Sequence, residues 1–457
     1  MIAMKALACA LVCVAVSGCT EDRAELTDDG PVLAAGLGVE TALLYQVTEI
    51  PLLRSGETVM HRTVPVIAGR TARVYVTVRA AASTEERKVR VRARIGGAWH
   101  LAPSVIVDIV PGEATDVDID IPGYGLAPDA DIAISVEEFD GVARDGDTSV
   151  ARWPASGAVS LLARDPGPMR WVLVPIQPNT FMGRNFDITP EMLAEIETDV
   201  LAQMPLRNAE LQVHEPVRWP DDLSDFASWQ QLVLKLANLR DAEGAAPDVY
   251  YYGMIPFTTT LALGGLAATL SDAPFWRVAI GVRGSRSNVM LHESFHLLGR
   301  SHTPCGDPGG PDPFYPYPGA FLGHTGYDYV NTELIDANTT YDVMSYCTPV
   351  WTSDYTYAGL FKSIRQVNRT NALQAPAPRE RVYVYNLANG RAVAAGEYDL
   401  VVPALNRVSI DGVQRDVGLV TFHDGPGALL LTREPVRPGA VVNPPALGRF
   451  TLAGGAR

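Results

Sequence analysis

From about residue 40 to 165, apolar and polar residues alternate with a period of two. Val74, Val76 and Val78 alternate with Tyr75 and Thr77, and Val89, Val91, Ala93 and Ile95 alternate with arginines. Val117, Ile119 and Ile121 alternate with aspartates, and Ile132, Ile134 and Val136 repeat the pattern. Successive side chains on a strand point to opposite faces, so this predicts short strands with one buried face. The Gly, Pro and Asp turns between them predict an antiparallel β-sandwich over residues 39–165. Asp165-Pro166-Gly167-Pro168 then marks a boundary. Beyond it, residues 171–175 (WVLVP) read as a strand, and Thr189-Pro190 predicts a helix reaching about Gln203, with Thr189 as N-cap. A strand near 211–213, a helix over about 228–239, and strands at 248–252 and 277–282 follow. This alternation predicts an α+β molecule whose centre, residues 168–372, is a mixed sheet with packed helices. From about residue 380 the period returns to two (Val382-Tyr383-Val384-Tyr385, then 398–402), which predicts a small β-domain over 378–457.

The chain has 457 residues, enough for two or three domains, and 47% hydrophobic with 19% charged residues marks it as globular. Its formal net charge is −15 and no Lys/Arg block stands out, which argues against nucleic acid and anionic membrane surfaces as partners. Lys5 followed by an apolar run over 6–16 reads as a targeting segment, too short to span a bilayer. The run ends in Val16-Ser17-Gly18-Cys19, which resembles the lipobox of bacterial lipoproteins. The resemblance implies a signal peptide and lipobox over 1–19, with Cys19 lipidated as the new N-terminus. Thr20, where an aspartate would retain the chain at the inner membrane, implies the outer membrane and cell surface; an ordinary signal peptide is the alternative. Residues 20–38 read as a flexible tether. Cys9 and Cys13 leave with the signal. Cys305 and Cys347 remain, and two cysteines in an exported chain predict one disulfide, worth roughly 3–4 kcal/mol in loop entropy.

Residues 288–302 carry the chemistry. The stretch 288–298 (NVMLHESFHLL) predicts a helix on which His292 and His296 lie one turn apart on the same face, so both imidazoles reach one ion. Glu293 follows His292, beside the metal but off the ligand face, where a general base belongs. Gly299 tolerates the positive φ that ends a helix, and the turn brings in His302 as a third ligand. Three imidazoles suit Zn2+ and leave a fourth position for water, the open arrangement of a catalytic site. His324 is a competing third ligand, less favoured for its distance from the helix.

HExxHxxGxxH, filled by His292, Glu293, His296, Gly299 and His302, is similar to the zinc-binding signature of the metzincin metallopeptidases. Asp342-Val343-Met344-Ser345-Tyr346 resembles the Met-turn those enzymes place beneath the metal, so the resemblance implies that role for Met344. Tyr346, two residues later, resembles the tyrosine of astacins and serralysins, which ligates zinc and swings away to stabilise the oxyanion. The resemblance covers about 168–372. It implies a zinc endopeptidase with Glu293 as base, a C-terminal helix from about 351 to 367, and a polypeptide substrate paired to an edge strand near 277–282. A Cys305–Cys347 pair would brace both sides of the metal site. The long loop 303–340 departs from small metzincins; its Asp307, Asp312 and Asp328 suit either a cleft wall or structural Ca2+. The flanking β-modules resemble those of mucin-cleaving metzincins, a pointer to glycoprotein substrates. Two rivals stay open: a surface binding or adhesion lipoprotein with an inactive domain of this kind, and a zinc hydrolase of a non-peptide amide such as a cell-wall crosslink.

Overall fold

A computed structural model of the chain describes residues 31–97, 100–179, 186–256, 263–269, 273–283, 288–370 and 378–453. The targeting segment, Cys19 and residues 20–30 of the expected tether lie outside the described residues. The first ten strands are β1 (Leu37–Tyr45), β2 (Glu49–Arg54), β3 (Glu57–Thr58), β4 (Ala72–Ala80), β5 (Arg87–Ile95), β6 (Ser104–Ile109), β7 (Ala114–Ile121), β8 (Asp131–Glu138), β9 (Arg152–Trp153) and β10 (Val159–Ser160). They form two antiparallel sheets, ordered β3-β2-β1-β4-β7 and β10-β8-β5-β6, with β9 on β8. The alternating residues make the layers: Val74, Val76 and Val78 of β4 and Val89, Val91 and Ala93 of β5 are fully buried in one shared core. Outward-facing residues pair across strands instead, Arg73 with Asp120 and Thr77 with Asp116, each directly opposite in register.

The central unit contains β11 (Met169–Pro178), α1 (Pro190–Gln203), β12 (Ala209–Val213), β13 (Val217–Trp219), α2 (Phe226–Ala242), β14 (Val249–Ile255), β15 (Gly265–Ala267), β16 (Val278–Val282) and α3 (Asn288–Leu297). The Thr189 side chain accepts from the Met192 N–H, capping α1 in front of Pro190. The sheet runs β12-β11-β14-β16-β15, parallel except for β15, and β13 joins the far end of β11. Both faces are covered. Leu232, Val233 and Leu236 of α2 pack on one with Val172, Val174 and Ile280. Met192 and Ile196 of α1 and Leu291 and Phe295 of α3 pack on the other with Trp171, Leu173 and Tyr252. One expectation is corrected here: the strand at 277–282 is not an edge. β16 lies between β14 and β15, and β15 is the outer strand.

After α3 come two short strand pairs, β17 (Gly326–Asp328) with β18 (Glu333–Ile335) and β19 (Tyr341–Asp342) with β20 (Val350–Trp351). Helix α4 (Asp354–Thr370) therefore starts after Trp351, which belongs to β20. The last strands are β21 (Arg379–Ala388), β22 (Arg391–Val401), β23 (Leu405–Ile410), β24 (Val413–Thr421), β25 (Ala428–Thr432), β26 (Val441–Asn443) and β27 (Phe450–Leu452). They close into a barrel in the order β21-β22-β27-β26-β23-β24-β25.

The α+β class expected for the molecule is overturned. Strands take 40% of it and helices 17%, in four α-helices among the described residues, so the fold is mostly β. The strand–helix alternation belongs to the central sheet alone, and the segment after α3 adds short strands where helices would be needed to change the class.

The units are joined by satisfied polar groups and apolar cores. The buried Arg70 guanidinium donates to the carbonyls of Leu201, Met204 and Leu206, supplying the carbonyls at the end of α1 with donors. Trp351 Nε1 donates to Val47 O (2.9 Å), tying β20 to the sandwich. On the other side Val420, Phe422 and Leu429 of the barrel share a core with Phe226, Trp229 and Trp276.

Candidate metal centre

Helix α3 is anchored by Leu291, Phe295 and Leu297, all buried, which turns His292, Glu293 and His296 towards the segments that follow it. Gly299 adopts φ +78° and the Arg300 N–H bonds back to Phe295 O (2.9 Å), so the chain reverses and His302 swings in. The Nε2 atoms of His292 and His302 each lie 3.1 Å from that of His296. Two nitrogens bound about 2.0–2.1 Å from one tetrahedral ion lie about 3.3–3.4 Å apart, close to this spacing.

The outer nitrogens decide what the inner ones can do. His292 Nδ1 meets Val343 O (2.9 Å), His296 Nδ1 meets Arg300 O (2.7 Å) and His302 Nδ1 meets Gly309 O (3.2 Å). A carbonyl only accepts, so each Nδ1 carries the hydrogen and each Nε2 presents a lone pair. Three lone pairs facing one another at hydrogen-bond distance repel, and a cation between them removes the repulsion. The residues present fit a zinc ion.

A fourth donor arrives from a part of the chain where none was expected. Asp424, in the turn between β24 and β25 of the barrel, places Oδ1 2.8 Å from His302 Nε2 and Oδ2 3.1 Å from His296 Nε2. His292, His296, His302 and Asp424 form one group whose ligating atoms all lie within 4.8 Å of one another. Asp424 Oδ2 is buried without a hydrogen-bond donor, so a cation could meet it there. Beside it His423 stacks on His296, with ring centroids 4.0 Å apart and planes 6° apart.

Glu293 is 2% exposed and lies under β15, where a Cβ added to Gly265 would fall 2.3 Å from its Oε1. Only glycine lets the strand approach the carboxyl so closely. Burial, with the Asp424 charge next, pushes the Glu293 carboxyl well above the usual range. A cleft of about 550 Å³ opens beside Glu293, with Leu263, Val289, Val343 and Val350 as apolar walls and Asp424 at its edge.

Met344 is fully buried in the same core as Leu291 and Phe295 of α3, and its N–H donates to Asp342 Oδ1 (2.8 Å). The turn thereby holds the Val343 carbonyl that aims His292. The Cys305–Cys347 disulfide is formed, with Cα atoms 5.7 Å apart, and Tyr346 N bonds to Cys305 O (3.0 Å). Burial, reinforced by the Asp424 charge, pushes the Tyr346 hydroxyl well above its usual pKa, so it stays protonated and donates to Asp424 Oδ1 (2.7 Å).

The remaining candidates lie elsewhere. His324 faces Glu49 and Asp354, at 3.9 and 3.7 Å. Asp312 accepts from Phe314 N and Tyr355 Oη, Asp328 accepts from Val330 N and the Asn331 side chain, and Asp307 adopts φ +57° in its own turn. Two of the three aspartates considered for calcium, Asp312 and Asp328, thus have their carboxylates engaged by protein donors.

No protein-family model and no curated protein sequence matches the chain. Among solved structures it is similar, at 13% identity and a TM-score of 0.26, to a chaperone–substrate complex, over 57% of this chain and 39% of that one. A cycloisomaltooligosaccharide glucanotransferase of Paenibacillus sp. matches at 14% identity and a TM-score of 0.18, over 48% of this chain and 28% of the enzyme. A β-glucuronidase of Bacteroides uniformis matches at 10% identity and a TM-score of 0.13, over 49% and 28%. The chain thus spans well under half the length of each, and likenesses this low bear on neither fold nor activity.

Proposed function

We propose that the chain is a zinc-dependent endopeptidase of the metzincin kind. One observation carries the reading: three imidazoles, each with Nδ1 bonded to a carbonyl, turn their Nε2 lone pairs on one point beside a buried glutamate. His292, His296 and His302 would hold Zn2+, which when bound supplies Lewis-acid polarisation of a scissile carbonyl and an acidified water.

The chain's own groups do the rest. Glu293 takes a proton from the attacking water and returns it to the leaving amine, and its raised pKa suits a base that must also act as an acid. Tyr346 keeps a hydroxyl hydrogen to donate to a developing oxyanion once it is free of Asp424. β15 lies against Glu293 as the outermost strand, so an extended peptide added there brings its backbone to the base. The apolar cleft wall accepts an apolar side chain next to the cut. The flanking β-units give room for protein or glycoprotein substrates. Cys19 after its apolar run, together with the Cys305–Cys347 disulfide, supports an exported, lipid-anchored chain at the cell envelope. Among the described residues no helix is long and apolar enough to cross a membrane.

The test is zinc content and cleavage of a proteome-derived peptide library by wild type and Glu293→Gln. Zinc bound near one ion per chain in both, with cleavage lost by about 10³-fold in the variant, is the expected result. Equal cleavage by the two proteins removes Glu293 from its role, and a wild type that binds no zinc sinks the reading.

A further inference from the structure

The barrel reaches the centre at two places that a substrate needs. Asp424 puts both carboxylate oxygens against the histidines, on the side facing the cleft, and takes up the Tyr346 hydroxyl. Just before it, β24 runs on past Thr421 and pairs with the continuation of β15. Phe422 and Ala268 form an antiparallel bridge, the Thr269 N–H and hydroxyl donate to Thr421 O at 3.1 and 3.0 Å, and the two threonine hydroxyls lie 2.7 Å apart. The continuation of the outer strand at Ala268 and Thr269, just past β15, is therefore already paired by the chain itself. The barrel segment lies on it as an extended peptide would, followed two residues later by a carboxylate at the metal position.

The turn is shaped for this contact. A Cβ at Gly425 would lie 2.0 Å from the Phe226 ring, and one at Gly427, at φ +100°, would lie 1.8 Å from Leu387 O. Phe422 is buried among Phe226, Trp276 and Ala268, which fixes the strand next to Asp424. Gln230 Nε2 and Asn386 Nδ2 donate across the same interface, to Leu387 O (3.4 Å) and Ala227 O (3.3 Å). An apolar anchor, a strand pairing and a carboxylate thus act together within one short hairpin turn.

We propose that the C-terminal barrel is a built-in inhibitor, with Asp424 as fourth zinc ligand and residues 421–422 as an occupant of the substrate edge, so that the docked chain is latent. This rests on the zinc peptidase reading. Withdrawal of the turn frees the fourth position for water, releases the Tyr346 hydroxyl and opens the end of β15 together. If the open form makes up about 1% of molecules, an active-site ligand binds about 100-fold more weakly than to a fully open site.

The full chain loaded with Co2+ is titrated with acetohydroxamate, followed by visible absorption, in wild type, Asp424→Asn and Asp424→Ala. Peptide-library cleavage and metal content are measured alongside. The expected result is hydroxamate binding at least about tenfold tighter in the variants, a cobalt spectrum altered before any hydroxamate is added, and cleavage raised by a similar factor. Equal hydroxamate affinity in all three proteins overturns latency, as do folded variants that no longer hold metal, since Asp424 would then be an integral ligand of a structural site. Tighter hydroxamate binding with no cleavage by any form keeps the latch and rejects the peptidase. Cleavage by wild type with equal affinities keeps the peptidase and rejects the latch. Should neither variant fold, wild type decides alone: hydroxamate bound at micromolar concentration overturns the inference, and refusal of millimolar hydroxamate supports it.

Discussion

Each of the three imidazoles is aimed by one backbone carbonyl, and each carbonyl comes from a different local device: the turn at residues 342–345 for His292, the helix-ending turn for His296 and the loop at Gly309 for His302. Gly299 is the most exposed to test, because its φ of +78° costs an alanine about 1–2 kcal/mol and the next carbonyl, Arg300 O, orients His296. Gly299→Ala should lower stability by about that amount and weaken zinc binding about tenfold, read by thermal unfolding and competition with a chromogenic chelator. Unchanged zinc affinity would mean that the Arg300 carbonyl does not set the imidazole. At this scale the sequence was informative where the chemistry is local. The spacing of His292 and His296 on one helix face and the glycine before His302 are short-range features that survive any tertiary context. Asp424 carries no such signal. It sits in His-Asp-Gly-Pro-Gly between two strands, where an aspartate reads as an ordinary turn former, and it meets His302 across 122 residues of chain.

The elements around the site show why strand order was harder to foresee than strand existence. Residues 278–282 (VAIGV) are apolar at every position and buried at every position, the pattern of a strand covered on both faces and flanked on both sides. That pattern belongs to an interior strand, whereas the edge position is what the metzincin resemblance implies for 277–282. The outer strand, β15, is three residues long and begins at a glycine, too short to leave a periodic trace. The loop after His302 owes its shape to a covalent brace. Cys305 and Cys347 are 42 residues apart, and in the loop-entropy model closing such a loop is worth about 4 kcal/mol. The double variant Cys305→Ser/Cys347→Ser should therefore lose roughly 3–4 kcal/mol in the guanidinium unfolding of the central unit. Its Tyr346 should also lose order, because the Tyr346 N–H bonds to Cys305 O. A double variant with the wild-type unfolding midpoint would show that packing alone holds the loop.

For the whole molecule, the class is mostly β rather than α+β because the helices crowd around the histidine cluster, while strands build everything on either side of it. The period-two residues of the sandwich and of β21 announced β-structure. Closure of the last seven strands into a barrel depends on pairing between β21 and β25, which are separated by most of that unit and leave no mark in periodicity. The consequence is thermodynamic as well as architectural. With the proposed three ligands from the central unit and one from the barrel, a bound zinc would stabilise both the fold of the centre and the docking of the barrel. At a free zinc concentration 1,000 times Kd that linkage amounts to about 4 kcal/mol, shared between the two. Chelation of wild type should therefore lower its unfolding temperature and also raise hydrogen exchange over residues 421–428 and 265–269, where the Thr269 N–H is held by Thr421 O. In Asp424→Ala the same chelation should lower the unfolding temperature without further loosening that turn, because the ion no longer touches the barrel. Exchange over residues 421–428 that is the same in zinc-loaded and zinc-free wild type would show that Phe422 and its apolar neighbours hold the barrel in place unaided, and that Asp424 contributes nothing to the joint.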